Sequence, residues 1–277
     1  GLVLDATFRV PSISSSRLVV DTDRAADLDV VMDLMLDGDD DYDYSVAWID
    51  LMATGPAMGR SVLTRGRFAT ADEVDDPDPL AYDPRLSIPA PPWVPTWLLN
   101  KASIRAFNEL WFRKAPVRRR DELQTIPQFF HPLDMVEGWN RLYGERGFLQ
   151  WQFVIPEAEG DTLRRIVTRL SAQGCPSFLA VLKRFGPADP GHMSFPDAGW
   201  TLALDIPAGL TGLGPLLDEL DREVVAAGGR IYLAKDSRVD PDLVPEMYPR
   251  LAEWQEVRRR VDPDGVLNSD MARRLGI

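Results

Sequence analysis

Cysteine occurs once in the 277 residues, as Cys175, so an internal disulfide is excluded. Histidine occurs twice, at His131 and His192, too seldom for a His-rich metal site or a Ser-His-Asp relay, and no metal is expected. Basic charge is also short: 31 Lys and Arg stand against 43 Asp and Glu, for a net charge of -12. Nucleic acid is therefore not an expected partner, because phosphate neutralisation needs a basic footprint. No apolar run reaches the ~20 residues of a membrane helix, and no signal-peptide pattern opens the sequence. Nucleophile elbow, HExxH and CxxC motifs are absent as well. Gly209-Leu-Thr-Gly-Leu-Gly214 has the wrong spacing for a nucleotide loop and reads as the entry to a helix. Asp37-Gly-Asp-Asp-Asp41 lacks the further carboxylates of a calcium loop and reads as an acidic turn.

What is present is ample apolar material, 45% of residues, for one large domain or two small ones. The stretch Phe148 to Lys235 has the clearest order. Phe148-Leu-Gln-Trp-Gln-Phe-Val-Ile-Pro156 alternates, with Leu149, Trp151, Phe153 and Ile155 on one side and Gln150 and Gln152 on the other. Asp161 to Leu170 has helical spacing, with Asp161 as N-cap and Gly174 as stop. Ser177 to Phe185 and Trp200 to Ile206 are strands, Leu213 to Ala226 is a second helix, and Arg230 to Lys235 is a fourth strand. That order predicts an α+β fold: a mainly antiparallel sheet with helices on one face, built on the ferredoxin-like β-α-β-β-α-β unit. Gln150, Gln152, Lys183 and Lys235 then converge on the other face, where polar side chains point to a site.

The first half echoes this pattern. Gly1 to Val10 reads as a strand already under way, with no initiator methionine, so a piece of a longer protein is expected. Arg17 to Asp21, Tyr42 to Asp50 and Ser61 to Phe68 read as strands, and Ala25 to Leu36 as a helix. One sheet of about six to eight strands suits both halves. Thr70 to Pro95 is Asp- and Pro-rich and reads as a long mobile loop. Asn100 to Phe112 is helical, Gln124 to Phe130 a strand candidate, the stretch through Trp139 and Tyr143 a short helix, and Pro241 to Val261 contains a helix with Met247, Leu251, Trp254 and Val257 or Arg258 near its buried side. Arg113-Lys114 and Arg118-Arg119-Arg120 form the one basic cluster, either a solvated linker or a contact for phosphate or an anionic membrane surface.

Phe129-Phe-His-Pro-Leu-Asp-Met135, Phe148-Leu-Gln-Trp-Gln-Phe153, Phe178-Leu-Ala-Val-Leu-Lys-Arg-Phe-Gly-Pro187, Tyr232-Leu-Ala-Lys-Asp-Ser-Arg238 and Ser269-Asp-Met-Ala-Arg-Arg-Leu275 closely resemble the decaprenylphosphoryl-ribose 2-oxidase family. These are vanillyl-alcohol-oxidase-like, FAD-linked sugar and aldonolactone oxidases, and the resemblance covers nearly the whole chain. It implies the C-terminal, substrate-binding part only. Residues 1–12 would be the last strand of an FAD-binding domain, 13–240 the substrate-binding domain with its mobile loop at about 70–98, and 241–277 a helix and tail returning toward the flavin domain.

The resemblance further implies Lys235 as the catalytic lysine, beside both flavin and substrate. Tyr232 falls at a position that contacts FAD. Gln150, Gln152, Lys183, Phe185, Phe130, Thr201 and Ala203 fall on positions lining the substrate pocket. Phe130 stands where the family often has tyrosine, Thr201 where it has asparagine, and Ala203 where a pocket cysteine is the target of covalent inhibitors. Insensitivity to thiol-requiring inhibitors follows. The implied reaction oxidises the 2-hydroxyl of a polyprenylphosphoryl ribose to a ketone, in arabinan precursor synthesis for the cell wall. FAD would be held mainly by the absent domain. A reductase partner would complete the epimerisation, and the protein would sit peripherally at the cytoplasmic or periplasmic membrane face. Two alternatives stand beside this: a flavin oxidase of another sugar or aldonolactone, and, for the chain by itself, a non-catalytic binding module.

Overall fold

A strand that alternates apolar and polar residues is stable only when neighbours complete its ladder and helices cover its apolar face. A computed structural model describes residues 3–82, 88–89, 100–132 and 136–277. Ten strands occur among them: β1 Arg17–Ala25, β2 Tyr44–Ile49, β3 Ser61–Phe68, β4 Ile88–Pro89, β5 Arg118–Thr125, β6 Val136–Glu137, β7 Phe148–Pro156, β8 Ala180–Phe185, β9 Gly199–Pro207 and β10 Arg230–Ile231. Eight form one sheet in the order β10-β7-β9-β8-β2-β3-β1-β5, antiparallel at every pairing; β4 and β6 make a separate parallel pair.

The second half has the strand order of the ferredoxin-like unit, and the first half repeats that order reversed along the sheet. The two units join at the middle of the sheet, where Ala47 pairs with Leu182 and Trp48 with Val181. Helices α1 Leu28–Gly38, α4 Gly160–Gln173 and α5 Leu213–Ala226 share one core with the sheet. Val31, Met32 and Met35 of α1, Leu163 and Ile166 of α4 and Leu217 and Leu220 of α5 join Ala47, Ile49, Leu63, Trp151, Phe153, Trp200 and Leu202 of the sheet in it. Gly199 opens β9 at φ +142°, where a Cβ would lie 2.0 Å from the Ile155 carbonyl oxygen, so only glycine lets β9 start against β7.

The opposite face differs between the halves. Over the first half lies the short helix α3, Ile126–Phe130, with Phe129 seated on Gly66 and Leu18 and Val20 beneath it fully buried. Helix α2, Lys101–Lys114, places Asn108 where its amide donates to Asp50 Oδ1 (2.7 Å) and to the Ser177 carbonyl (3.3 Å). The second half of this face carries the polar residues of β7, β8 and β9.

Several expected elements shift. Residues 3–10 form no strand within this chain, and Val3, Leu4, Phe8 and Val10 are exposed: an alternating segment needs a partner edge. The strand expected over Gln124–Phe130 is instead β5, and α3 follows, because Pro127 cannot join a ladder while Thr125 and Gln128 form a capping box. The basic stretch therefore lies on an edge strand, where charge is common. Helix α1 begins at Leu28 with Asp27 as N-cap, since Ala25 still belongs to β1. Glu159, not Asp161, stands at the N-cap position of α4 and makes no side-chain bond to the helix backbone; Asp161 sits in the first turn and pairs with Arg164. The helix expected within Pro241–Val261 divides around Pro249 into α6 Val244–Met247 and α7 Leu251–Val261, and of the two inward candidates Arg258 is half-buried while Val257 is exposed. A last helix, α8 Asp270–Leu275, is capped by Ser269. The loop expected at about 70–98 and residues 133–135 lie partly or wholly outside the described residues.

Candidate active site

Strand alternation on β9 sends Trp200, Leu202, Leu204 and Ile206 into the core and Thr201, Ala203 and Asp205 to the open face. Register then assembles the patch. Gln150 lies opposite Asp205, Ala203 sits between Gln152 and Val181, and Thr201 between Val154 and Lys183. The Gln150 amide donates to Asp205 Oδ1 at 2.9 Å, and the Gln152 amide to Thr201 Oγ1 at 3.1 Å. Thr201 is 1% exposed, so it acts on the pocket by holding Gln152.

The expected fourth strand stops at Ile231. Tyr232 N–H still donates to the Gln152 carbonyl (2.9 Å), but residues Leu233–Lys235 curl into a 3-10 turn. Asp236 closes that turn, accepting from the backbone N–H groups of Arg238 (2.9 Å) and Val239 (2.8 Å) and from the Arg274 guanidinium. Arg238 in turn reaches Asp221 and Asp218 on α5, and Trp151 Nε1 donates to Asp221 at 2.8 Å. Lys235 is thereby anchored from strand, helix and C-terminal segment, with its Nζ 5.9 Å from the Tyr232 ring centre. Where β10 stops, a small gap of about 10 Å3 is lined by Gln150, Trp151, Gln152, Leu217, Tyr232 and Lys235.

Among the described residues, neither Lys183 nor Lys235 has a carboxylate in ion-pair range. Burial pushes the Lys183 ammonium below the ordinary lysine range. Burial does the same to Lys235, with Lys183 adding to the effect and Asp205 opposing it. Two half-desolvated cations on one patch, neither in ion-pair contact with a described carboxylate, form a receptor for negative charge or an activated amine.

Phe185 and Tyr232 are joined by Phe195, 6.0 Å edge-on to the first and stacked at 4.4 Å on the second. Phe130 lies apart, over the first half, edge-on to Tyr44 at 4.8 Å and against Phe68 at 6.4 Å. Tyr44 begins β2 and Phe185 ends the antiparallel neighbour β8, so the two aromatic groups share one end of the sheet. Nine expected residues thus divide into a central group of eight and Phe130 at its margin.

Sequence reading missed Asp205, Phe195 and Tyr143. Asp205 was legible: it follows Thr201 and Ala203 on the same face of one alternating strand. It is 3% exposed, and burial raises its carboxyl above the usual range against the pull of Gln150, Lys235 and Tyr143. Tyr143 stacks on Phe148 (4.3 Å) and Phe178 (5.2 Å), and burial beside Asp205 drives its hydroxyl far upward. The basic cluster is largely consumed: Arg113 pairs with Glu109, Arg119 with Glu122, and Arg120 with Asp21 and Asp23. Lys114 and Arg118 remain exposed.

Among known proteins, a family model described as D-arabinono-1,4-lactone oxidase matches residues 216–275, the segment containing Tyr232 and Lys235. The chain is 40% identical to a decaprenylphosphoryl-beta-D-ribose oxidase of Mycolicibacterium smegmatis, aligned over 99% of this chain and 60% of that protein. It is 39% identical to an uncharacterised protein in the mprA 5' region of Streptomyces coelicolor, over 100% of this chain and 77% of that protein. The chain therefore spans 60% of the length of the first of these relatives. No helix among the described residues is long and apolar enough to cross a membrane.

Proposed function

We propose that the chain belongs to an FAD-linked oxidase family and is the substrate-binding portion of an oxidase acting on a polyprenylphosphoryl ribose. The reaction is oxidation of the ribose 2-hydroxyl to a ketone, on the route to arabinan precursors. The observation that carries this reading is the pair of half-buried lysines, neither in ion-pair contact with a described carboxylate, beside two glutamines on one sheet face. A phosphorylated, hydroxyl-rich ligand meets both needs of that face.

The residues present fit FAD in character: a flat tyrosine ring backed by Phe195 and a desolvated cation stand at that gap. Tyr232 and Lys235 would meet the cofactor, which when bound accepts the hydride from the carbinol carbon. The chain accounts for 60% of the relative's length, and we assign most contacts with FAD to the remainder.

Lys183 serves the phosphate or the sugar oxygens, since its lone cation is the more central on β8. Gln150 and Gln152, fixed by Asp205 and Thr201, orient hydroxyl groups. Lys235 handles the proton of the reacting hydroxyl, taking it as a free amine or steadying the developing alkoxide as an ammonium. Phe185, Phe195 and Tyr232 exclude water along one rim.

A lipid-linked substrate requires approach to a membrane surface, so a peripheral location and a reductase that consumes the keto product belong to the proposal. The electrostatic share of such a contact reduces to Lys114 and Arg118 on this edge. A second reading, oxidation of a free aldonolactone, is favoured by the lactone-oxidase match around Lys235 and by Thr201 and Ala203. Turnover by the complete protein separates them. Faster oxidation of polyprenylphosphoryl ribose than of free aldonolactones is expected; preference for lactones would overturn the first reading.

A further inference from the structure

Residues 232–238 and 269–275, far apart in sequence, meet at the turn that carries Lys235. The second stretch holds α8, whose placement follows from its ends. Ser269 Oγ accepts from the Ala272 N–H at 3.1 Å and caps the start. Leu275 is 3% exposed and belongs to the same core as Val239, and the Ile277 carbonyl accepts from Arg258. Two cations stand in the last turn of α8. Arg273 pairs with Asp270 along the helix itself, whereas Arg274 reaches away from it. Its Nη2 donates to Asp236 Oδ2 and its Nη1 to the Val239 carbonyl at 3.0 Å.

Asp236 is the residue next to Lys235, and its carboxylate shapes the chain. Oδ1 accepts from the N–H groups of Arg238 (2.9 Å) and Val239 (2.8 Å), Oδ2 faces Arg274, and the side chain is 3% exposed. The turn's own backbone bonds run from Lys235 N–H to the Tyr232 carbonyl (3.0 Å) and from Asp236 N–H to the Leu233 carbonyl (3.1 Å). One 3-10 turn is weak by itself, because its hydrogen-bond geometry is poor and few residues share it. Upstream it is fixed to β7, where Tyr232 N–H donates to the Gln152 carbonyl. Downstream it is fixed through Asp236. Arg238 is turned to Asp218 and Asp221, so among the described residues Arg274 is the guanidinium paired with Asp236. A buried carboxylate left without that charge is costly, so the turn and α8 hold each other.

We propose that Arg274 is a positioning residue for Lys235: by clasping Asp236 and the Val239 carbonyl, the C-terminal helix α8 fixes the turn from which the lysine meets the site. The clasp concerns the turn and holds whatever the site oxidises; its consequence for rate rests on the proposed oxidase reading. Misplacing an acting group by about 1 Å costs on the order of 100-fold, so a loosened turn is read in the chemical step. Gln150, Gln152 and Lys183 stand on β7 and β8, outside the clasp, so substrate binding is spared.

Two readouts test it. In this chain, hydrogen exchange followed by NMR should show the Lys235 and Asp236 amides exchanging about tenfold faster in Arg274→Met, for the loss of a charge-assisted hydrogen bond, while amides in the middle of α4 keep their rate. In the complete enzyme, the limiting rate of flavin reduction by polyprenylphosphoryl ribose should fall about 10- to 100-fold, with half-saturation held within about twofold. Arg274→Lys keeps the charge without the two-pronged fork and should fall between. Asp236→Asn keeps an acceptor for the turn amides and removes the charge facing Arg274, so it gives the same test where Arg274→Met does not fold. Turn amides exchanging at the unaltered rate, or a folded and active variant that reduces its flavin at the unaltered rate, would overturn the proposal, whatever the melting temperature does. Faster turn exchange in an enzyme that oxidises no polyprenylphosphoryl ribose leaves the clasp standing, and the function reading falls.

Discussion

Replacing Ala203 with cysteine puts a reporter at the middle of the open face. The Ala203 Cβ points away from the core that Leu202 and Leu204 enter, and it stands between Gln152 and Val181. Lys183 is the diagonal neighbour on β8, and a nearby ammonium lowers the pKa of a thiol. The background is silent, because Cys175 is fully buried and burial pushes its thiol up to about 12. At pH 8 an ordinary thiol near 8.5 is roughly one quarter thiolate, whereas one at about 12 is ionised at ~1 part in 10,000. The reactive thiolate is thus about two thousandfold more abundant at Ala203→Cys than at Cys175, and steric protection slows Cys175 further, so the new thiol is alkylated much faster. The assay is the rate of iodoacetamide incorporation followed by intact-mass spectrometry on the folded chain. Labelling no faster than the unaltered protein, or only after denaturation, would refute the placement of β9's polar side on an accessible face.

Two further substitutions separate site chemistry from fold. Lys183→Met should raise stability by about 1 kcal/mol while weakening binding of the phosphorylated substrate by the complete enzyme. Folding lowers the proton affinity of Lys183, so the unfolded chain holds the proton more tightly; stability then rises with pH as it passes from the folded value up to the ordinary lysine range. Lys183→Met should remove that rise, and a melting temperature whose pH dependence is unchanged would contradict the burial argument. Asp236→Ala should cost roughly 1–3 kcal/mol, because two turn amides and Arg274 lose their acceptor. Chemical denaturation measures it, and a loss under about 0.5 kcal/mol would show that the turn holding Lys235 needs no such clasp.

How much of this was visible beforehand depends on where the information lies. Period-two alternation in Phe148–Pro156 fixed which side chains face outward, and the glutamines stand there. Helix α5 and the stop at Gly174 also followed from local signals. Arg230–Lys235 did not, because the curl after Ile231 depends on Asp236, Arg238 and Arg274 meeting from three segments. The basic stretch misled for a similar reason: the partners of Arg120 are Asp21 and Asp23, almost a hundred residues away on β1. Asp205 was readable from alternation, but its burial beside Tyr143 required the aromatic stack with Phe178 to form. The reversed repetition of strand order between the halves was legible only as a faint echo, since the order of strands is set by pairing rather than by any one segment.

The most direct test of the central claim is anaerobic stopped-flow reduction of the flavin in the complete enzyme by polyprenylphosphoryl ribose, with and without Lys235→Ala. The account predicts rapid bleaching of the oxidised flavin band in the unaltered enzyme and a rate lower by about 100- to 10,000-fold in the variant, the usual contribution of a positioned acid-base group. Bleaching of the variant at the unaltered rate would contradict it.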